Sequence, residues 1–555
     1  MSPILKERSM RAKLFLSAVI VCAVGCPSTD KSDPLDFAAA KASKPADKAA
    51  TSTKAAASSY VQQKALIPPS HPSPVGVNLA ELREYTPERP FNDVFKQSRG
   101  WISTDGSKWD DGRPVAVDEH GWVKGLAEGQ RARSLVFWGD GVQFPAGAYQ
   151  VRWDGTGKVD LWPQGGVVTS TGTGEALLKA DPKKGGIAFT ITETRPTDPI
   201  RNVRVYVPGA DETKRWNPAF LERIKGYGTL RFMDWLETNN TTLVTSAERP
   251  KVADARYTNH GVPVEVAFDL CNVAGTDCWL NIGHTWDDAL IEEVATVAKA
   301  TLAPNRRLYV EYSNEVWNGI FQQSAFVKKR AVMAELSKDP FEAQMRWHGR
   351  RTAQVAAIFD RVFGERNPQV VRVLGAWASN AWSTEQMLDQ IKKEGAVVDA
   401  VAIAPYFGNS FGEPEQRGAV QGMALADLMT AIDGAIDEAM GWTTEQKKVA
   451  DKYKVALIAY EGGQHLVGVS DVSEDPIVNR LFDAANESPK MKDAYLRYLN
   501  AWKKSGGGLF MHFNSAMRPS KYGRWGALTS MEQPRAEAPK YDALMTFIET
   551  TPRWY

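Results

Sequence analysis

The chain has 555 residues, of which 43% are hydrophobic and 24% charged, with a formal net charge of +1. This is a globular composition, long enough for two or three domains. The near-zero charge leaves no electrostatic basis for a nucleic-acid partner.

In chain order, the first feature is a targeting segment. Lys6, Arg8, Arg11 and Lys13 form a basic region, and residues 14–22 form an apolar stretch too short to span a membrane with confidence. Ala23-Val24-Gly25-Cys26 follows and resembles a bacterial lipobox, with an ordinary signal peptide as the alternative. On the lipoprotein reading, residues 1–26 are a signal peptide and Cys26 becomes the lipidated N-terminus. Residues 27–66 are rich in Ala, Lys, Ser, Thr, Asp and Pro, which cannot bury a core and predicts a flexible linker. The expected product is exported and membrane-anchored through its lipid. Pro27 after the cysteine favours the outer membrane or cell surface.

Val75 to Leu79 reads as a first strand, so residues 67–111 are expected to start the main domain. Residues 112–208 change character to short alternating runs with Gly, Pro and Asp turns, such as Tyr149 to Trp153 before Asp154-Gly155. That pattern predicts an inserted β-sandwich.

From residue 209 to 555, strands and helices alternate. The predicted strands are Leu230 to Trp235, Cys278 to His284, Arg307 to Ser313, Val370 to Trp377, Asp399 to Tyr406, Val455 to Tyr460 and Gly507 to Phe513. Helices are expected over Pro218 to Lys225, Asp287 to Leu302, Phe321 to Phe363, Thr384 to Glu394, Leu425 to Tyr453, Met491 to Lys504 and Pro539 to Glu549. Val262 to Leu270 is apolar at mixed spacing and fits neither period. Apolar strands separated by helices imply a parallel sheet covered on both faces. With Val75 to Leu79 there are eight β/α units, which predicts an α/β fold, a (β/α)8 TIM barrel with an inserted β-sandwich domain.

Cys271 and Cys278 lie close together in the chain. In an exported protein they form a plausible disulfide, the alternative being a metal clip. No zinc-spaced Cys or His pair lies beside them, so no metal is expected. No cofactor is implied either, because Gly506-Gly507-Gly508 precedes a strand instead of opening a helix.

Two carboxylates stand out. Glu311-Tyr312-Ser313-Asn314-Glu315-Val316-Trp317-Asn318 follows one predicted strand, and Tyr460-Glu461-Gly462-Gly463 follows another. Barrels place their chemistry at the C-terminal strand ends. A pair of carboxyl groups facing one glycosidic bond is the minimal equipment for cutting it. Glu311, earlier on its strand, reads as a structural polar residue, and His465 as a loop residue.

An Asn-Glu pair after the fourth strand and a Glu after the seventh resemble clan GH-A, the retaining glycosidases built on the TIM barrel. The resemblance implies Glu315 as acid/base, Glu461 as nucleophile and Asn314 as the partner of the sugar 2-hydroxyl. It also implies Tyr406 as a contact of the nucleophile, and Arg231 and His284 as groups around the reacting sugar. Ala404 stands where many members have a His. The eighth strand lacks the usual Trp, for which His512 or Trp525 could substitute. Trp317 and Trp377 are candidate cleft residues; the 18 tryptophans suit sugar faces as well as core packing.

Two readings follow. One is a lipid-anchored retaining glycoside hydrolase acting on a β-linked polysaccharide or oligosaccharide. The other is a non-catalytic carbohydrate-binding surface lipoprotein, which has no need of both glutamates. A metal-dependent barrel hydrolase is disfavoured by the absence of a His-x-His cluster among 7 histidines.

Overall fold

A computed structural model describes residues 66–555 except 140 and 164. The predicted signal peptide, its lipidation site Cys26 and nearly all of the predicted linker lie outside the described residues.

Eight parallel strands close into a barrel. The first is β1 (Val75–Asn78). The next in the barrel are β10 (Thr229–Arg231), β11 (Asp277–Ile282) and β12 (Leu308–Tyr312), once the insert's strands β2 to β9 are numbered. β13 (Val370–Gly375), β14 (Ala400–Ile403), β15 (Ala456–Ala459) and β16 (Phe510–His512) complete the ring. Closure comes from β1, which pairs in parallel with β10 on one side and β16 on the other. Most of these strands are buried along their whole length, which is why they read as unbroken apolar runs.

Between β1 and β10 the chain leaves the barrel and returns. Strands β2 (Ile102–Thr104), β3 (Arg131–Phe137), β4 (Gly147–Asp154), β5 (Gly157–Trp162), β6 (Val167–Ser170), β7 (Thr173–Ala180), β8 (Ile187–Thr194) and β9 (Arg201–Tyr206) form two antiparallel sheets. One is ordered β2-β3-β8-β5-β6 and the other β7-β4-β9. They enclose their own core, with Phe95, Trp122, Phe137, Tyr149, Trp153 and Phe189. This β unit begins with Ile102, ahead of residue 112, because β2 pairs with β3 (Arg131–Phe137). The outgoing and returning segments run side by side, with Phe91 bridging Trp216 and Val207 N–H donating to Asn92 at 3.0 Å.

Several predicted elements differ in extent. The ambiguous stretch at 262–270 belongs to a helix, Val264–Ala274. It buries Val264, Val266, Ala267, Phe268, Leu270 and Cys271, a face too wide to show a clean period. The expected helix from Phe321 to Phe363 is two, Gln322–Met333 and Pro340–Phe363. Asp339 caps the second by accepting from Glu342 N–H, and Pro340 occupies its first turn. The second barrel strand stops at Arg231, because Phe232 to Thr238 turns on itself through Leu236 N–H to Phe232 O and Thr238 N–H to Met233 O.

Cys271 and Cys278 are joined in a disulfide with a Cα–Cα distance of 5.9 Å, tying the end of one helix to the start of β11. The segment before β1 crosses the N-terminal end of the barrel. Ile67 N–H donates to Pro368 O at 3.0 Å, Arg307 Nε to Ile67 O at 2.7 Å, and Ser70 Oγ to Asp277 at 2.7 Å. The C-terminal residues meet it there: Arg553 donates to His71 O at 2.9 Å and Tyr555 to Pro74 O at 3.1 Å.

Candidate active site

Glu315 and Glu461 lie past the ends of the fourth and seventh barrel strands, at the barrel's C-terminal mouth. Glu461 is fully buried and Glu315 is 6% exposed. Backbone geometry aims the first of them. Ser313 has φ +59° and Glu315 φ +41°, so Asn314 sits between two left-handed residues. Non-glycine residues held this way carry a cost, and such positions cluster at functional sites.

Arg231, at the end of β10 and fully buried, is the centre of the site. Its Nη1 donates to Glu461 Oε1 at 2.8 Å and to Asn78 Oδ1 at 2.8 Å. Its Nη2 donates to Asn314 Oδ1 at 3.0 Å and to Glu311 Oε2 at 2.9 Å, and its Nε reaches the same Glu311 oxygen at 3.1 Å. The other oxygen of Glu461 accepts from Tyr406 Oη at 2.9 Å. Glu315 has a different set of partners. Its oxygens accept from Tyr460 Oη and Asn318 Nδ2, each at 2.9 Å, both neutral donors.

These environments set the charges. Burial raises the affinity of both carboxyls for a proton, and each disfavours the other's charge. Such a pair titrates as a unit, and one proton is held between the two. Direct contact with the Arg231 guanidinium favours the charged form of Glu461, whereas Glu315 meets neutral donors and has no such compensating cation in contact. Burial lowers the proton affinity of Arg231, but Glu311 and Glu461 outweigh it and keep the guanidinium charged. Burial and the nearby carboxylates push Tyr406 and Tyr460 far up, so both remain O–H donors.

A cavity of about 610 Å³ opens beside Glu315. Trp317, Asn318, Phe341, Trp377, Tyr406 and Tyr460 line it. Phe341 meets Trp377 edge-on at 6.4 Å and stacks on the half-exposed Trp382 at 6.2 Å. A smaller cavity, about 270 Å³, lies away from the carboxyls beside Arg372 and Asp399 at the strands' N-terminal ends.

The structure thus brings Asn314, Glu315, Glu461, Arg231 and Tyr406 together and puts Trp317 and Trp377 on the cavity wall. Three expected residues are elsewhere. His284 is buried against Phe326 at 5.1 Å, and burial drops its pKa to about 4. His512 is fully buried with its ring edge-on to Tyr495 at 5.7 Å, and burial drops its pKa to about 3. Neither ring shares a hydrogen bond with the carboxyl network among the described residues. Trp525 is 2% exposed and packs edge-on to Tyr406 at 5.5 Å and His465 at 4.7 Å, so it supports Tyr406 from behind. His465 is buried in the same cluster and is not a free loop side chain.

Sequence reasoning missed Asn78, Asn239, Asn318 and Tyr460. Asn78 bridges strands by donating to Tyr460 O at 3.0 Å and His512 O at 3.2 Å. Asn239 accepts from Asn314 Nδ2 at 3.1 Å. Asn78, the last residue of β1, and Tyr460, the first after Ala459, carried a signal, a polar residue at or just past the end of an apolar barrel strand; Asn239 and Asn318 lie farther along the loops and carried none.

Among solved structures, a Bacteroides uniformis beta-glucuronidase 2 aligns at 12% identity over 76% of this chain and 48% of that one, with a TM-score of 0.33. A 4-O-alpha-L-rhamnosyl-beta-D-glucuronidase from Fusarium oxysporum aligns at 14% identity, 60% and 65% coverage and a TM-score of 0.36. A psychrophilic glycoside hydrolase family 10 endo-beta-1,4-xylanase aligns at 11% identity, 59% and 92% coverage and 0.34. The chain spans about half the length of the Bacteroides protein. No protein-family model and no curated protein sequence matches the chain. The barrel is defined here by its own strand order and closure.

Proposed function

We propose that this chain is a retaining glycoside hydrolase that cleaves a β-linked polysaccharide or oligosaccharide. The supporting observation is the division of labour between two buried carboxyls. Glu461 is held by a guanidinium and a phenol, whereas Glu315 is held by neutral donors only.

In this mechanism Glu461 attacks the anomeric carbon while the bond to the leaving oxygen breaks. Glu315 gives that oxygen its proton. A covalent glycosyl ester on Glu461 results. Water then attacks the same carbon, losing its proton to Glu315, and Glu461 leaves as a carboxylate. Asn314 Nδ2 carries two N–H groups, of which one goes to Asn239, so the second is free to hold the sugar 2-hydroxyl. Trp317 and Trp377 line the cavity next to Glu315, where indole rings suit a sugar on the leaving-group side. Export as a lipoprotein through Cys26 belongs to the same reading and rests on the sequence alone.

The test is reducing-end release from a panel of β-glucan, xylan, mannan and uronic-acid polymers, comparing wild type with Glu461→Gln. Release from one polymer that is lost in the variant, with retained anomeric configuration in the product, supports the assignment. Equal release by both proteins removes Glu461 as nucleophile. Binding to a polymer without release by either protein replaces the hydrolase with a carbohydrate-binding protein.

A further inference from the structure

Glu311 is a third buried carboxyl at this site, 1% exposed, and the mechanism above gives it no task. Four N–H groups converge on its Oε2: Arg231 Nε at 3.1 Å and Nη2 at 2.9 Å, Trp279 Nε1 at 2.9 Å and Asn281 Nδ2 at 2.8 Å. That crowd of donors on one oxygen is the pattern of a carboxylate anion. Its other oxygen faces Gly375, where a Cβ would come within 2.9 Å of Oε1. Glycine at that position therefore leaves just enough room for the carboxylate.

We propose that Glu311 is a positioning residue that shares Arg231 with Glu461 and thereby sets the pH at which the Glu315–Glu461 pair gives up its proton. This rests on the reading of that pair as the catalytic carboxyls. Arg231 presents two N–H groups to Glu311 and one to Glu461. With both carboxylates charged, one guanidinium serves two anions. Glu461 then gains a hydrogen bond but only part of a compensating charge. The pair keeps its proton to higher pH than an undivided Arg231 would permit, as an acid working near neutrality requires. The other titratable groups facing this centre are Tyr406 and Tyr460, which stay protonated, and Asp234, just past the end of β10.

The proton affinity of the pair can be read without a substrate, from the pH dependence of the Tm difference between wild type and Glu461→Gln. The same difference is then measured in a Glu311→Gln background. The midpoint is expected to fall by about one pH unit, a tenfold loss of proton affinity, because the whole charge of Arg231 now acts on Glu461. Glu311→Asp keeps the charge and is expected to restore a midpoint near that of wild type. With a glycan the wild type hydrolyses, the basic limb of kcat/KM should move with the midpoint.

An unmoved midpoint in folded Glu311→Gln overturns the proposal. If that variant does not fold, Trp279→Phe decides. It removes one donor from Glu311, leaving more of its charge to Arg231, so the midpoint should rise. A midpoint that stays or falls overturns the proposal. Hydrolysis with no midpoint shift rejects only Glu311's role. A midpoint shift in a protein that cleaves none of the glycans supports the charge sharing and rejects the catalytic reading.

Discussion

Tyr460 Oη donates to Glu315 Oε1 at 2.9 Å, although Tyr460 directly precedes Glu461 in the chain. One dipeptide thus reaches both proposed catalytic carboxyls, supplying one and steadying the other. The two groups are coupled through β15 as well as through space, so a change in that strand's register disturbs both.

Removing the phenol isolates this link. The Tyr460 hydrogen bond favours the ionised form of Glu315, so Tyr460→Phe strengthens Glu315's hold on its proton. The basic limb of kcat/KM, where the acid must stay protonated, should move up by about one pH unit. A pH–rate profile on the active polymer checks this, and a limb moving down contradicts the role given to Tyr460.

Trp377 lines the cavity beside Glu315 but bonds to neither carboxyl through its side chain. Trp377→Ala should raise KM by about tenfold with kcat within about twofold, as expected for lost stacking of substrate and transition state alike. Initial-rate kinetics on an oligosaccharide separates the two parameters.

Glu88 gives a stability prediction independent of catalysis. Burial pushes its carboxyl up to about 8, against the Ser515 hydroxyl that donates to it. The folded protein therefore binds this proton more tightly than the unfolded chain does. The resulting stability is full below about pH 4.5 and is lost as pH rises through about 8. Glu88→Gln has no proton to lose. Relative to wild type it should gain on the order of 3 kcal/mol between pH 5 and pH 8, measured by urea unfolding.

The Cys271–Cys278 disulfide closes a loop of sequence separation 7 at the N-terminal start of β11, the end of the strand opposite the carboxyls. Its chain-entropy contribution is about 2.5 kcal/mol. Replacing both cysteines with Ala should lower unfolding stability by about that amount and leave kcat/KM within about twofold.

Much of this was legible in the chain. Eight buried strands announce themselves as apolar runs, and Glu315 and Glu461 stand out as carboxylates immediately beyond two of them. The contacts of Arg231 were less legible, because its guanidinium reaches side chains contributed by three other barrel strands and their loops. His284 and His512 were misleading because strand-end position does not tell whether a ring turns into the mouth or into the wall. The break at 334–339 was visible as Asp339-Pro340, a capping residue followed by a first-turn proline, inside a stretch that otherwise keeps helical character.

The two ends of the described chain meet beneath the barrel, where Arg553 and Tyr555 grip the segment from His71 to Pro74. That segment leads directly into β1, the strand whose pairing with β16 closes the ring. The contact therefore works as a latch on the seam. Peeling away the last three residues leaves the first strand's lead-in held by its bonds to Asp277, Arg307 and Pro368, and the barrel should loosen first at that joint, on the side farthest from the cleft.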